Sequence, residues 1–224
     1  MNDEINEQKI LKNFLEEYNQ NNNSPISILF YGIKGSKWQC KVCKIITYGF
    51  QSFYFLHFDL EFVNKYCFKL GKRPLLTKEG KNPDIDLYEC FDEYQKIIVF
   101  TGQNQMYCYF CRKTNDDFFR DILYSGPYYL IINLSRGRDE LYQCNVNFPS
   151  QLNIYNYVIN KEGITKYELY AVVSRLTNGH YVAYCRSRTD NQWYLYDDDL
   201  VTKCSRVEQY KEGISNILFY EAIK

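Results

Sequence analysis

Two C-x-x-C pairs, far apart in the chain, constrain the fold more than any other feature. Cys40 and Cys43 form one pair, Cys108 and Cys111 form the other, and 64 residues separate them. Four thiolates at tetrahedral corners make a closed, structural zinc site. The long separation excludes a small zinc finger and predicts a ribbon whose two turns lie at the ends of different hairpins. Buried core thiols are the main alternative, and a thioredoxin-like redox role fits less well because no βαβ pattern surrounds either pair.

The composition is that of an ordinary globular chain with an aromatic excess. The 224 residues are 46% hydrophobic, 24% charged and 18% aromatic, which is enough for one domain or two small ones. Basic and acidic residues both number 27, which argues against a nucleic-acid binder and a polybasic membrane-surface protein. No apolar run is long enough to span a bilayer, and the polar start does not resemble a secretory signal. We therefore expect an intracellular protein, cytoplasmic or nuclear, whose nine cysteines are not disulfide partners.

Hydrophobic periodicity predicts helices near the start and a train of strands towards the end. Apolar spacing predicts a helix from about Glu4 to Tyr18, and the same spacing returns over Leu87–Tyr94. Phe53–Leu60 reads as a strand with both faces partly buried, and Lys72–Asp86 reads as a charged surface loop. Short segments separated by turn residues then predict a largely antiparallel sheet, with strands over Tyr128–Leu134, Tyr167–Leu176, His180–Arg186, Trp193–Tyr196 and Ile217–Tyr220.

The chain has only two histidines, so the candidates for a catalytic base are few. His57 lies inside an aromatic strand and is interpreted as a packing residue. His180 begins a strand, and Asp197 and Asp198 end the next one. Neighbouring strands would set an imidazole beside a carboxylate, which is the base and its orienting acid in a nucleophilic site. The alternative interpretation is a strand-edge histidine and an ordinary acidic turn.

The order of these segments resembles a known family. The runs Y-E-L-Y-A-V-V, N-G-H-Y-V-A-Y-C-R, W-Y-L-Y-D-D-D-L-V and I-L-F-Y, which begin at Tyr167, Asn178, Trp193 and Ile217, resemble the histidine box of the ubiquitin-specific proteases. These are thiol hydrolases that cleave ubiquitin from lysine side chains. The likeness covers about Ser24 to Tyr220 and includes five further segments: Ser24–Gly32, Leu87–Tyr94, Phe100–Cys111, Gly126–Arg136 and Val146–Leu152.

The resemblance implies an α+β, papain-like ubiquitin-specific protease fold that is present only in part. It implies an antiparallel palm sheet and zinc-ribbon fingers, with most of the helical thumb missing. The expected division is an N-terminal helix and linker over residues 1–23, mainly zinc-binding fingers over 24–125, and the palm with the histidine box over 126–224. Apolar surface that normally faces the thumb would then be exposed, or covered by a partner or another segment.

The resemblance also implies the roles of particular residues. His180 would be the general base, Asp197 would orient it, and Asp198 would be a neighbour that helps. Gly179, which lacks a Cβ, and Tyr181 would contact the Gly-Gly tail of the substrate. The expected cofactor is a structural zinc ion, and the expected partners are ubiquitin and ubiquitinated proteins. The zinc would be held by the two pairs described above, Cys40, Cys43, Cys108 and Cys111.

The nucleophile is not evident in the sequence. The family places its cysteine after a Gly/Asn-rich turn at the start of a helix, where the thiol pKa is lowered. None of the five cysteines outside the two pairs has that context; they are Cys67, Cys90, Cys144, Cys185 and Cys204. The chain is therefore expected to be the inactive, base-bearing part of a deubiquitinase, or else a catalytically dead module that binds ubiquitin or acts as a scaffold. Arg175, Gly137 and the short loop Leu176–Asn178 also depart from the family pattern and place substrate gating in question.

Overall fold

The computed structural model of the chain describes residues 2–21, 23–137, 142–176, 179–205, 210 and 214–223. These ranges contain four α-helices: α1 (Asn2–Asn21), α2 (Pro25–Phe30), α3 (Leu60–Lys69) and α4 (Leu87–Tyr94). None of the helices in the described ranges is both long and apolar enough to cross a membrane. The chain divides into two compact units, each assembled from three separate stretches.

Sixteen strands accompany the helices in the described ranges. Those in the first half of the chain are β1 (Gly32–Cys40), β2 (Ile46–Phe53), β3 (Leu56–Asp59), β4 (Ile85–Asp86), β5 (Ile98–Phe100), β6 (Met106–Cys108), β7 (Lys113–Asn115) and β8 (Asp117–Ser125). Those in the second half are β9 (Tyr129–Ser135), β10 (Val146–Asn147), β11 (Gln151–Asn153), β12 (Lys166–Arg175), β13 (Tyr181–Arg186), β14 (Trp193–Asp197), β15 (Leu200–Lys203) and β16 (Ile214–Ala222).

The first unit comprises Met1–Tyr54, Tyr94–Tyr128 and Ile154–Thr165. Its antiparallel sheet has the order β2-β1-β8-β5, so β1 lies between two partners along its whole length. The Trp38 ring of β1 packs against Phe119 and Phe100, with ring centroids 4.3 and 5.5 Å away. The β6–β7 hairpin forms a separate two-stranded ribbon.

The second unit comprises Phe55–Glu93, Tyr129–Asn153 and Lys166–Lys224. In its described residues the main sheet has the order β15-β14-β13-β12-β16-β9-β3, and β11 adds to β12. All neighbouring pairs in this sheet are antiparallel except β3 and β9, which run parallel. β12 and β16 form a long pair at the centre of this sheet, and both carry segments that resemble the histidine box.

One face of this main sheet forms the core of the second unit. Alternate residues of β9, from Leu130 to Leu134, are buried, while the residues between them are only half-buried. On the buried face, the Phe58 ring of β3 meets the Phe91 ring of α4 edge-on at 5.1 Å. The alternation with period two is what a strand with one buried face requires.

Several predicted elements are present, but the strand over Phe53–Leu60 differs, and the loop over Lys72–Asp86 ends in β4, where Ile85 is buried. The N-terminal helix and the antiparallel strands lie where the periodicity placed them. The predicted strand over Phe53–Leu60 is correct only over Leu56–Asp59, because β2 ends at Phe53, β3 begins at Leu56, and Leu60 is already the first residue of α3. The Asp59 carboxylate accepts a hydrogen bond from the Phe62 amide at 3.1 Å and caps this helix. The aromatic run has no distinct period, so the sequence did not indicate where this helix begins.

Truncation of Ile132 tests the two-faced sheet. The Ile132 side chain is fully buried, whereas its neighbour Ile131 lies half-buried on the other face. We expect Ile132→Ala to lower the free energy of unfolding by about 2–5 kcal/mol, because it removes buried methyl groups and leaves a cavity. Urea denaturation measures the change, with Ile131→Ala as the matched control. A larger loss in the control would contradict the assignment of the buried face.

Candidate functional site

The register of β13 against β14 brings His180 and Asp197 together. Ala183 pairs with Tyr196, so one step further along the same register Asp197 falls opposite Val182. His180 lies two residues before Val182 and therefore projects to the same face as Asp197. The His180 Nε2 atom lies 2.6 Å from Asp197 Oδ1, although 17 positions separate the residues in sequence.

The hydrogen bond between His180 and Asp197 determines how the ring can act. An ionised carboxylate can only accept, so Nε2–H donates and the other ring nitrogen, Nδ1, is the one able to accept a proton. The bond to Asp197 raises the pKa of His180 above its ordinary value, and the nearby Asp198 adds to the shift. Both side chains of the bonded pair are about one-third exposed, 33% for His180 and 38% for Asp197, so the pair is open to a reactant.

One tight turn, closed by two backbone hydrogen bonds, holds His180 in place. Gly179 N–H donates to Leu176 O at 2.9 Å, and Leu176 N–H donates to His180 O at 2.8 Å, which closes the chain between β12 and β13. Gly179 has φ +85°, a conformation that side chains with a Cβ rarely adopt. The predicted gating residues 177 and 178 lie outside the described residues. Tyr181 follows with 46% of its side chain exposed.

Asp198 sits in the turn between β14 and β15. Its φ is +50°, in the left-handed region that aspartate tolerates better than most residues. Its Oδ2 atom lies 3.9 Å from His180 Nε2, while 83% of its side chain is exposed. The structure therefore places both predicted carboxylates beside the predicted base, with Asp197 in direct contact and Asp198 one step outside it.

The two C-x-x-C pairs lie together in the first unit. The first pair spans the end of β1 and the turn into β2, and the second spans the turn between β6 and β7. The turns are alike: Lys44 N–H donates to Cys40 O at 2.9 Å, and Arg112 N–H donates to Cys108 O at 2.7 Å. Lys44 and Arg112 both have positive φ, 62° and 55°. Matching backbone turns thus present two thiols each.

The distances between the thiols suit a metal ion. Cys40 Sγ lies 3.8 Å from Cys111 Sγ, Cys43 Sγ lies 3.8 Å from Cys108 Sγ, and all four sulfur atoms lie within 4.8 Å of one another. A disulfide would need about 2.05 Å. The Cys111 amide holds the pKa of Cys108 down to about 7, whereas the hydrogen bond that the Cys111 thiol makes to the Cys43 sulfur raises the pKa of Cys111 to about 12. The cluster can hold a metal ion, which would stabilise all four thiols as thiolates.

Asn115 is a neighbour of the cluster that sequence reasoning missed. Its amide Nδ2 donates to Cys40 Sγ at 3.8 Å. Such outer contacts orient ligands and tune the bound metal. Asn115 follows Cys111 by four residues, a spacing that carries no motif, so only the β6–β7 hairpin reveals the contact.

The five cysteines outside the thiol cluster are either buried or separated from the histidine along the strands. Burial raises the pKa of three thiols that are at most 8% exposed, Cys67, Cys90 and Cys144. Cys185 is five residues from His180 along β13, about 16 Å at 3.3 Å per residue, and an odd spacing turns it to the opposite face. The Cys204 amide donates to Trp193 O, at the end of β14 remote from Asp197.

His57 lies on β3 and is not part of this arrangement. It pairs in register with Asn133 of β9, and the Asn133 amide nitrogen lies 3.2 Å from its Nδ1 atom. His57 is exposed, so the interpretation of this residue as a packing residue is wrong.

A family match covers nearly the whole chain. A family model described as ubiquitin carboxyl-terminal hydrolase matches residues 3–220. The chain belongs to this family.

Curated relatives show the same likeness at low identity. Ubiquitin carboxyl-terminal hydrolase 10 of Arabidopsis thaliana is 29% identical over 166 residues, covering 70% of this chain and 18% of that protein. Ubiquitin carboxyl-terminal hydrolase 2 of Bos taurus is 27% identical over 214 residues, covering 92% of this chain and 32% of that protein. The chain thus spans a third or less of the length of these two relatives.

Solved structures share the fold. A yeast SAGA DUBm structure matches with a TM-score of 0.68 and 24% identity, covering 94% of this chain and 45% of that one. A SAGA DUB module bound to monoubiquitin matches with a TM-score of 0.66 and 23% identity, covering 97% of this chain and 47% of that one. The predicted α+β ubiquitin-specific protease fold is confirmed.

Replacement of Asp197 by Asn tests the electrostatic coupling at the site. We expect Asp197→Asn to lower the pKa of His180, because the charged hydrogen-bond acceptor that favours the protonated ring is lost. A histidine NMR titration measures this pKa directly, and the His57 signal serves as an internal reference. Because the folded-state pKa of His180 is raised, the pair stabilises the fold at pH values below the unfolded pKa. That stabilisation disappears as pH rises through the folded pKa. An unchanged His180 titration in the variant would refute the coupling.

Proposed function

We propose that this chain carries the base and orienting acid for thiol-dependent hydrolysis of ubiquitin isopeptide bonds. The observation that carries the proposal is the 2.6 Å bond between His180 Nε2 and Asp197, which directs Nδ1 towards proton transfer. Family membership supports the reaction class, and one structural neighbour is bound to monoubiquitin. Ubiquitin and ubiquitinated proteins are accordingly the proposed partners.

Each residue at the site would have a defined task in that reaction. His180 takes the proton of a cysteine thiol, and the thiolate attacks the isopeptide carbonyl. The same ring then protonates the departing lysine amine, and water hydrolyses the thioester. Asp197 holds the ring and stabilises its protonated form, and Asp198 adds negative charge nearby. Gly179 leaves room for the Gly-Gly tail, and the exposed Tyr181 lies beside that approach.

The nucleophile in this proposal is not one of the nine cysteines of the chain. Four of them form the thiol cluster, three are buried, and the remaining two lie about 13–16 Å along their strands from the His180–Asp197 pair. A thiol must be within hydrogen-bond reach of its base. The isolated chain is therefore proposed to be inactive, with the thiol supplied by residues outside it.

A second candidate function is a module that binds ubiquitin or serves as a scaffold without cutting it. The positions of the nine cysteines favour this candidate. The intact histidine–aspartate hydrogen bond favours the first, because binding alone does not require an oriented imidazole. In both cases the thiol cluster and its sheet would form the fingers, and the main sheet of the second unit would form the palm.

The loss of the imidazole tests the first candidate. When a cysteine-box segment of a family relative is joined before this chain, we expect His180→Ala to reduce the rate of ubiquitin release at least about 100-fold, since general acid–base catalysis contributes that much or more. Release of a fluorophore from the ubiquitin C-terminus measures the rate. His57→Ala is the matched control and should leave the rate unchanged.

Two results would contradict the first candidate. An unaffected rate in His180→Ala would refute the assignment of the base. Covalent labelling of the isolated chain by ubiquitin with a C-terminal electrophile would show that one of its own cysteines is the nucleophile. The second candidate would be established by two results together. The isolated chain would bind the same ubiquitin non-covalently, and the chain joined to the cysteine-box segment would fold but show no release of the fluorophore from ubiquitin.

We propose zinc as the metal of the thiol cluster. Zinc–sulfur bonds of about 2.3 Å in a tetrahedron place sulfur atoms about 3.8 Å apart. Two of the sulfur pairs, Cys40 with Cys111 and Cys43 with Cys108, are 3.8 Å apart, which matches that spacing. Four thiolates leave no position for water, so the ion would be structural.

Removal of one thiol tests the zinc assignment. We expect about one tightly held zinc ion per chain, and we expect Cys43→Ser to lose it and to unfold at lower temperature, since a structural ion contributes folding free energy. Elemental analysis and thermal denaturation measure the two effects. Cys204→Ser is the matched control, because Cys204 lies outside the cluster. Folded protein that has never contained zinc would refute the site.

Two further properties belong to the same proposal. The half-buried face of the main sheet carries apolar side chains, among them Ile131, Ile217 and Phe219, which suit a surface that another segment or a partner covers.

All nine cysteines lie in the described residues and none forms a disulfide, as suits a reducing compartment, cytoplasmic or nuclear.

A further inference from the structure

Asp198 places a second carboxylate near the His180 imidazole, although one carboxylate is enough to accept the Nε2–H hydrogen bond. Asp197 already accepts the Nε2–H bond at 2.6 Å, and Asp198 Oδ2 lies 3.9 Å from the same nitrogen. Each of the three side chains offers one ligand atom, and these atoms all lie within 4.8 Å of one another. One imidazole nitrogen and two carboxylate oxygens are therefore grouped at the end of the sheet.

The separations of these atoms suit a small divalent ion. Zinc binds histidine nitrogen and carboxylate oxygen at about 2.0–2.2 Å, so two such ligands at tetrahedral corners lie about 3.4 Å apart. The observed distances of 2.6 and 3.9 Å fall on either side of that value. Side-chain movements of about an ångström would bring both carboxylates to coordinating distance.

The ligand types and the surroundings indicate the kind of ion. Imidazole nitrogen suits zinc and its first-row neighbours, whereas magnesium and calcium prefer all-oxygen sites. His180 is 33% exposed and Asp198 is 83% exposed, so water can complete the coordination. The Arg175 guanidinium lies 3.6 Å from the position that a Cβ on Gly179 would occupy, next to His180 in the chain.

We propose that His180, Asp197 and Asp198 form a second metal site, separate from the thiol cluster, that takes zinc or a first-row divalent ion of similar preference through Nε2. The ion occupies the position of the Nε2 proton, and the neutral ring then carries its one proton on Nδ1. The Nε2 proton passes to solvent, and Nδ1 takes one from solvent, so a ring that was neutral stays neutral. Asp197 exchanges a hydrogen bond for a bond to the ion.

A metal ion bound at this site would prevent His180 from acting as a base. A neutral ring that already holds a proton on Nδ1 cannot accept another there without losing the metal. This consequence rests on the proposed role of His180 in isopeptide hydrolysis, whereas binding of the ion rests only on the positions of the three ligands. Free zinc would then act as a reversible inhibitor, competing with the Nε2 proton rather than with ubiquitin.

Histidine NMR on the isolated chain tests the metal site directly. The chain has two histidines, so ¹⁵N labelling of histidine gives one signal set for His180 and one for His57 as an internal reference. Zinc is titrated after the thiol cluster has been filled with one equivalent. We expect His180 to change to a ring with metal on Nε2 and a proton on Nδ1, at zinc concentrations that leave His57 unchanged. An unchanged His180, or two histidines that shift together, would overturn the proposal.

A matched pair of variants tests the carboxylate ligands. Asp198→Asn removes a charged ligand, and we expect it to weaken the second zinc-binding event at least about tenfold, because even outer contacts of metal sites are worth that much. Asp199→Asn removes the adjacent charge, which lies outside the ligand group, and should leave the affinity within about twofold. Calorimetry measures both values. Equal weakening in the two variants would show non-specific attraction to an acidic turn and would overturn the site.

These measurements separate the metal site from the proposed reaction. Neither the NMR signature nor the affinities require catalysis, so they stand if His180 proves not to be a base, and only the inhibition then fails. Conversely, a joined protein that needs His180 for ubiquitin release, but whose His180 signals ignore zinc, would retain the proposed function and lose the metal site.

Discussion

The pairing of β13 with β14 is the constraint on which the site in the second unit depends. A hydrogen bond of 2.6 Å between His180 and Asp197 exists because Ala183 faces Tyr196 across the two strands. A register shift of one residue would turn Asp197 to the other face and leave the imidazole without its acid. The shift is opposed by burial: Val182 and Tyr184 of β13 lie in the core, and a slip would expose them.

The central pairing of β12 with β16 fixes that register in turn. Val172 of β12 and Leu218 of β16 are fully buried and directly paired, so these strands cannot slide without breaking up the core. β13 extends from this pair, and the turn before it holds Gly179 at φ +85°. The catalytic chemistry that we propose is thus positioned by apolar side chains that never approach a substrate.

The thiol cluster in the first unit is also positioned by the backbone, but by two hairpin turns rather than by strand register. Two hairpins end in nearly identical turns, each with a positive φ after the second cysteine, and each turn sets two sulfur atoms on one side. The Asn115 amide approaches one of those sulfur atoms from the neighbouring strand. Four thiols so close together leave at least one with a strongly raised pKa, which a metal ion would relieve.

The sequence alone indicated the family, the thiol pairs and the candidate base, because each depends on residue types at fixed local spacing. It identified His180 and Asp197, since histidine is rare in the chain and the acidic turn is short. It missed the start of α3 at Leu60, because an aromatic run has no distinct period. It also could not assign Asn115 to the thiol cluster or give the 3.9 Å separation between Asp198 Oδ2 and His180 Nε2. Those contacts arise from strand register and turn geometry, which depend on burial summed over whole sheets, so only the tertiary structure decided them.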